Sequence, residues 1–275
     1  MKKTILSILM VLPILVLTSS CCDDDDGVFV GATKTYDLNS VTDPNISGKA
    51  KFIENQNGST TVELQLTGTP AGGMHPAHIH FNTAAEGGGV AVTLGAVDGD
   101  TGFSTITFSK LDDDTDVTFQ EILDFDGYIN VHLSTTELST IVAQGDIGEN
   151  ELTGTSKVYT LNEKDVTGIS GTATFHERVN GEALAILDIL NTPAGGMHPA
   201  HIHTGSIATA PGSIMFTFNP VDGDTGMSMT NVSELDDETD FDYDDVLTVD
   251  GYINIHLSAA QPEIIVAQGN VGANE

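Results

Sequence analysis

Cysteine is nearly missing from this chain, tryptophan is missing altogether, and positive charge is scarce. Cys21 and Cys22 are the only cysteines in 275 residues, and they are adjacent. Nothing after residue 22 can form an internal disulfide or a thiolate metal site, so stability must come from packing. Lys and Arg total 9 against 40 Asp and Glu, a formal charge of −31, and none follows Arg178. Such a field repels nucleic acid and anionic surfaces and attracts cations. No apolar run reaches the roughly 20 residues a membrane-spanning helix needs; the longest runs from Ile5 to Leu17. Phosphate-binding loops, nucleophile elbows and catalytic-cysteine signatures are absent too, which leaves no constellation for nucleophilic catalysis.

What the chain does have is histidine in a repeated setting. The string TPAGGMHPAHIH runs from Thr69 to His80 and again from Thr192 to His203. Each copy is followed by DGYIN and one more histidine, His132 or His256. Only His176 stands outside this pattern. Other pairs extend the correspondence: Tyr36 with Tyr159, Val97–Gly102 with Val221–Gly226, Ile141–Gly145 with Ile265–Gly269. The offset moves from 123 (159 − 36) to 124 (221 − 97), so one residue is inserted after the first histidine string. A period of this length is that of a whole domain rather than a solenoid unit. The expected organisation is 33–149 and 150–275, with a joint around Glu149–Glu151 too short for free reorientation.

The N-terminus reads as a targeting segment. Lys2 and Lys3 precede the apolar run, and Thr18-Ser19-Ser20 lead to Cys21. This is the order of a secretory signal over 1–20, and the cysteine after small residues resembles the lipobox of bacterial lipoproteins. The resemblance implies lipidation at Cys21 and a membrane partnership through the acyl chains. Asp23–Asp26, within an acidic tether over 21–32, are similar to the surface-export signal of Bacteroidetes-type lipoproteins. The implied location is the bacterial cell envelope, at the outer membrane or cell surface. Loss of the signal removes two lysines and leaves a net charge of −33 (7 − 40).

The rest reads as β. Val62, Leu64 and Leu66 alternate with Thr61, Glu63 and Gln65, the period of a half-buried strand. Val90–Leu94 and Phe103–Phe108 are further β-rich segments, and Asp-Gly and Gly-Gly pairs mark turns. Thr118–Leu123 and Asp242–Leu247 predict single short helices. In Ala77–Phe81, a period of two places His78 and His80 on one face and Ile79 and Phe81 on the other. In Tyr128–Leu133, His132 falls opposite Ile129, Val131 and Leu133. The histidines are therefore expected to project outward from the aliphatic core. Two imidazoles about 6.6 Å apart along one strand can close on an ion, and a third from a strand about 4.8 Å away would complete the site. His78, His80 and His132 are one predicted metal triad; His201, His203 and His256 are the other. His75 and His198, each before a proline, are expected to be structural or to support the ligands. The surrounding negative charge is expected to favour imidazolium and so raise the pH at which metal is lost.

The strings GMHPAHIH, GYINVHLS and IVAQGDIG resemble the CHRD domain, in which an H-I-H strand is followed by a Y-V-N-V-H strand and a closing strand with a G-Q pair. Here Gln144-Gly145 and Gln268-Gly269 reverse that order. The same strings are similar to the core of copper/zinc superoxide dismutase. That resemblance implies an all-β fold of two tandem antiparallel Greek-key sandwiches (superoxide-dismutase/immunoglobulin-like). It also implies copper positions at His78, His80 and His132 and at His201, His203 and His256, with copper or zinc as the cofactor. No counterpart of the dismutase's metal-bridging histidine lies between His80 and His132. Ile141 and Ile265 fall where the dismutase has its guiding arginine, which argues against efficient catalysis.

Other signals are set aside. Asp43–Glu54 fits a calcium loop only loosely and lies in a β context. Asp112–Asp116 and Asp236–Asp240 lack the glycine and terminal glutamate of such a loop and read as solvated. Met74 and Met197 read as core filler, although thioether would suit Cu(I). The resulting expectation is a lipid-anchored tandem protein that binds copper or zinc without efficient turnover. Its rivals are an adhesion or scaffold module and a dismutase-like redox enzyme.

Overall fold

The structure, a computed structural model, describes residues 29–275. The expected signal, the expected lipidation site Cys21 and Asp23–Asp26 lie outside these residues. The first repeat contributes β1 (Thr33–Ser40), β2 (Ser47–Glu54), β3 (Thr60–Thr67), β4 (Met74–Phe81), β5 (Val90–Asp98), β6 (Phe103–Phe108), α1 (Phe119–Leu123), β7 (Asp126–Ser134) and β8 (Glu137–Gly148). The second contributes β9 (Leu152–Glu163), β10 (Ser170–Arg178), β11 (Ala183–Leu190), β12 (Met197–Thr204), β13 (Ile214–Asp222), β14 (Met227–Val232), α2 (Tyr243–Thr248), β15 (Asp250–Ser258) and β16 (Gln261–Gly272). The fold is all-β and antiparallel, as expected.

In the first repeat the strands close in the order β1-β2-β3-β6-β5-β4-β7-β8, with the Greek-key crossings falling at β3–β6 and β4–β7. The second repeat has the same neighbours but is open between β13 and β14. Pro220, which has no N–H to give, stands there in place of Ala96. Side chains bridge the gap: Asn219 N donates to Thr230 Oγ1 at 2.9 Å, and Ser228 Oγ to the Asn219 carbonyl at 2.6 Å.

Inside each barrel, alternate strand residues form the core. Phe52, Val62, Ile79, Ile129 and Val131 are fully buried in the first, and Phe175, Leu187, Ile202, Ile253 and Ile255 in the second. Each short helix covers part of the core with two apolar side chains, Phe119 and Ile122 or Tyr243 and Val246. Its start is set by a reciprocal capping box, Thr118 with Glu121 and Asp242 with Asp245. Phe81, expected in the core, is instead 38% exposed at its strand end and packs on Phe125. Met74 and Met197 are each half exposed at a strand start, so they do not fill the core.

Residues Gly31–Glu275 form one compact unit. Leu184, Ile186, Met227 and Met229 of the second repeat line a cleft with Ala84, Ala85 and Gln144 of the first. The corresponding positions in the first repeat are Thr61, Glu63, Phe103 and Thr105. The outer face of β11–β14 is thus more apolar than its counterpart where it borders this cleft; Leu184 is buried there, whereas Met227 and Met229 stay exposed.

Candidate metal centre

The central strand β4 carries His78 and His80 between β5 and β7, and β7 carries His132. Ala77 and Ile79 are fully buried in the core, so the intervening histidines face outward. All three ligand positions sit at irregularities in the ladder. The register slips between Pro76 and His78, between Ile79 and His80, and between Val131 and His132. The slips recur in the second repeat at His198/Ala200, Ile202/His203 and Ile255/His256. Bulges of this kind re-aim side chains, and here they converge the rings.

In each triad one ligand atom per histidine lies within 4.8 Å of the other two, so both groups are placed to hold a metal ion. Ring centroids are 5.8 Å (His78–His80), 5.1 Å (His78–His132) and 6.4 Å (His80–His132). The second triad repeats this geometry at 5.8, 5.1 and 6.1 Å. Nitrogens bound tetrahedrally at about 2.0–2.1 Å lie about 3.3 Å apart. His78 Nδ1 and His132 Nε2, at 3.1 Å, already stand at that separation.

Backbone carbonyls decide which nitrogen of each ring is free. His80 Nδ1 donates to the Gly88 carbonyl at 3.0 Å, and His132 Nδ1 to that of Leu138 at 2.5 Å. A carbonyl only accepts, so both Nδ1 atoms carry protons and both Nε2 atoms offer lone pairs. His203 uses Gly212 (3.0 Å) and His256 uses Pro262 (2.6 Å) in the same way. The Nε2 atoms of His80, His203 and His256 are buried without a partner, as is His201 Nδ1. A cluster of buried, unsatisfied acceptors is costly unless something binds it, and a cation would satisfy all of them. In the metal-free chain His78 Nδ1 carries the proton shared with His132 Nε2. Holding an ion there requires that proton to move to the outward-facing Nε2.

The rings lie outside the core but not in open solvent. His132, His203 and His256 are buried, and the other three are intermediate. The 82–89 loop and the β7–β8 turn cover the outer face. Tyr128 stacks on His80 (5.0 Å, 18°) and Tyr252 on His203 (5.2 Å, 19°). The Tyr128 hydroxyl accepts from Gly88 N at 3.2 Å, and Tyr252 from Gly212 N at 2.9 Å. Glycine is obligatory at both loop positions, because a Cβ on Gly88 would sit 2.0 Å from the Phe81 carbonyl oxygen and one on Gly212 1.9 Å from that of Thr204.

This burial overturns the expectation that acidic surroundings favour imidazolium. Desolvation, followed by repulsion from the neighbouring rings, lowers the pKa of His78 and takes that of His201 down to about 4. Burial likewise lowers His132 and His256, against the opposing pull of their backbone hydrogen bonds. Removal from water outweighs the charge field here because most carboxylates are distant and screened.

Asp112 and Asp236 are the exception that sequence reasoning missed when it set their loops aside as solvated. Thr93, the register partner of His78, donates to Asp112 from its N–H (3.1 Å) and hydroxyl (2.7 Å). The Asp112 charge works against the depression of the His78 pKa, so it lies near the ring. Thr217 holds Asp236 identically at 2.9 and 2.7 Å, beside His201. The only hint in the sequence is that both aspartates open the two matched acidic runs. Asp43 and Glu54, from the discarded calcium pattern, lie at opposite ends of β2, with Asp43 accepting from Asn45 N and Glu54 from Ala32 N.

His75 and His198 lie on the core side of their strands and are 1% exposed. His198 Nδ1 is 3.2 Å from the His256 carbonyl oxygen, so it braces the backbone of a triad residue. The chain matches no family model, no curated protein and no solved structure.

Proposed function

We propose that this chain is an exported, lipid-anchored tandem CHRD-type protein that binds one copper or zinc ion in each three-histidine site and turns nothing over efficiently. The observation that carries the metal reading is the twofold occurrence of one donor set, Nδ1 of His78 or His201 with Nε2 of His80 or His203 and of His132 or His256. Three neutral imidazoles suit copper and zinc, and copper is favoured by the general affinity order of divalent metals. When bound, such an ion supplies Lewis acidity or a redox couple. The chain's own contribution is to fix tautomers through Gly88, Leu138 and their counterparts, and, by burial, to keep His78, His132, His201 and His256 neutral. Metal analysis of the purified chain, against His80→Ala with His203→Ala, tests the reading.

Catalysis is the second reading, favoured by the similarity of the histidine strings to the dismutase copper strands. A net charge of −33 (7 − 40) after removal of the signal repels superoxide, and His132 pairs with Ile141 where a guiding arginine would be needed. The expected outcome is dismutation by the copper-loaded chain well below the diffusional limit in a stopped-flow assay. A rate near that limit, lost in the double histidine variant, would establish the enzyme reading instead.

The anchor rests on the order of residues around Cys21. Cys21→Ser is expected to shift the protein from the membrane to the soluble fraction, because the acyl chains go with the thiol. A variant that still sediments with membranes would rule out lipidation at Cys21 as the anchor.

A further inference from the structure

Arg178 is the last positive charge in the chain, and its side chain is fully buried at the joint between the repeats. It leaves the end of β10 and reaches into the first repeat. One guanidinium nitrogen, Nη1, donates to Asp146 Oδ2 at 2.7 Å and to the Asn150 carbonyl at 2.5 Å, while Nε donates to Asn231 Oδ1 at 2.9 Å.

Asp146 and Asn150 both lead to the loop that covers the first triad. Asp146 Oδ1 accepts from Ala84 N at 2.8 Å. Asn150 Nδ2 donates to the Asn82 carbonyl at 3.2 Å and to Asp126 Oδ1 at 2.8 Å. Residues 82 and 84 begin the loop whose Gly88 carbonyl takes the His80 proton and whose Gly88 N–H bonds to Tyr128. Tyr128, stacked on His80, is also the register partner of Asp146.

The second repeat serves as an internal control. Asn274 stands where Asn150 does and donates to the Gly205 carbonyl and Asp250 Oδ1 at 2.8 and 2.7 Å. At the position of Asp146 it has Asn270, whose Oδ1 accepts from Ile207 N at 2.9 Å. The scaffold is the same, but the carboxylate is an amide and no arginine approaches. The first repeat has Asn55 where the second has Arg178 (178 − 123). The charge pair exists only at the joint, and the acid is present only where the arginine can neutralise it. A carboxylate in this setting without a cation would be desolvated and uncompensated.

We infer that Arg178, supplied by the second repeat, is a positioning residue for the first triad: through Asp146 and Asn150 it holds the 82–89 loop that orients His80. The loop-holding role stands on hydrogen bonds alone; its consequence for metal rests on the metal-binding reading. The two sites are therefore unequal, and only the first depends on contact between the repeats.

The test compares the full chain with R178M and R178M/D146N, the latter reproducing the neutral arrangement around Asn270. In R178M, amide exchange at Ala84 and Gly88 is expected to accelerate about tenfold or more, with Ile207 and Gly212 unchanged. The 15N ring shifts of His80 should lose the signature of a single Nδ1–H tautomer. Cu2+ affinity of the first site, measured with the second silenced by H203A and H256A, should fall about 10-fold or more, the usual effect of losing an outer partner of a ligand. R178M/D146N should restore most of all three signals, because an amide oxygen at 146 still accepts from Ala84. If R178M alone does not fold, R178M/D146N and R178M/D146A carry the comparison: both are charge-neutral, and only the second removes the acceptor and should lose the signals. Exchange, tautomer and affinity all within about twofold of wild type in a folded R178M, or in R178M/D146A, would overturn the inference. If the wild-type chain takes up no Cu2+, the metal reading falls, and the exchange and tautomer contrasts still decide whether Arg178 positions the loop.

Discussion

Titrated with Cu2+ or Zn2+, the wild-type chain is expected to take up two ions, one per triad, and His80→Ala with His203→Ala to take up none. Either substitution alone should leave one ion. Each removes an imidazole whose free Nε2 is directed into the cluster by a carbonyl behind it. Affinity at the altered site should fall by more than about 100-fold, since even outer-shell partners of metal ligands are worth about 10–100-fold. Binding to the native state alone adds about 2.7 kcal/mol per site when free metal is about 100 times Kd. At roughly 2–4 °C per kcal/mol for a chain of this size, two filled sites raise Tm by roughly 10–20 °C. Isothermal titration and scanning calorimetry give the two readouts. An unchanged Tm and no saturable uptake in the wild type would remove the metal reading.

The second large effect is on pH. His78, His132, His201 and His256 all have pKa values lowered by burial, His201 to about 4. In the unfolded chain these groups titrate near about 6.5. Between those limits the unfolded state binds more protons, so the stability of the metal-free protein falls as pH drops below about 6.5 and levels off once the folded pKa values are passed. The useful window is pH 7 to 5, above the range in which protonation of most carboxylates relieves self-repulsion. Replacing the four histidines by glutamine should flatten the slope in that window. The same shifts predict that His78, His132, His201 and His256 release almost no protons on metal uptake at pH 7, because burial already keeps them neutral. Calorimetry in buffers of different ionisation enthalpy checks this, and release of about one proton or more per site would contradict it. A metal-free protein that grew more stable on acidification from pH 7 to 5 would show that burial does not govern these rings.

Much of this architecture is readable along the chain, because it depends on local period and repetition. Alternation at Val62–Leu66 and Ala77–Phe81 marks strands and puts His78 and His80 on one face, whatever the tertiary fold. The matched strings around His78 and His201 reveal the tandem copies, and the segments Thr118–Leu123 and Asp242–Leu247 mark the two short helices. What remained hidden depends on contacts distant in sequence. Barrel closure rests on pairing β1 with β8, about 100 residues apart. Burial of the outer face of β7, where Tyr128, Asn130 and His132 are all covered, comes from a loop and a turn that period-two reasoning leaves in solvent. That cover, not the net charge, sets the protonation of the rings, because desolvation acts over contact distance while the field of scattered surface carboxylates is screened. The free nitrogen of each ring is chosen by Gly88, Leu138, Gly212 and Pro262 carbonyls, and a carbonyl has no signature in a sequence. Asp112 and Arg178 resemble any surface charge until folding brings one beside His78 and buries the other against Asp146. Residue type and spacing determined which side chains could serve as ligands; only the tertiary structure, by excluding water and supplying partners, decided their charge, tautomer and support.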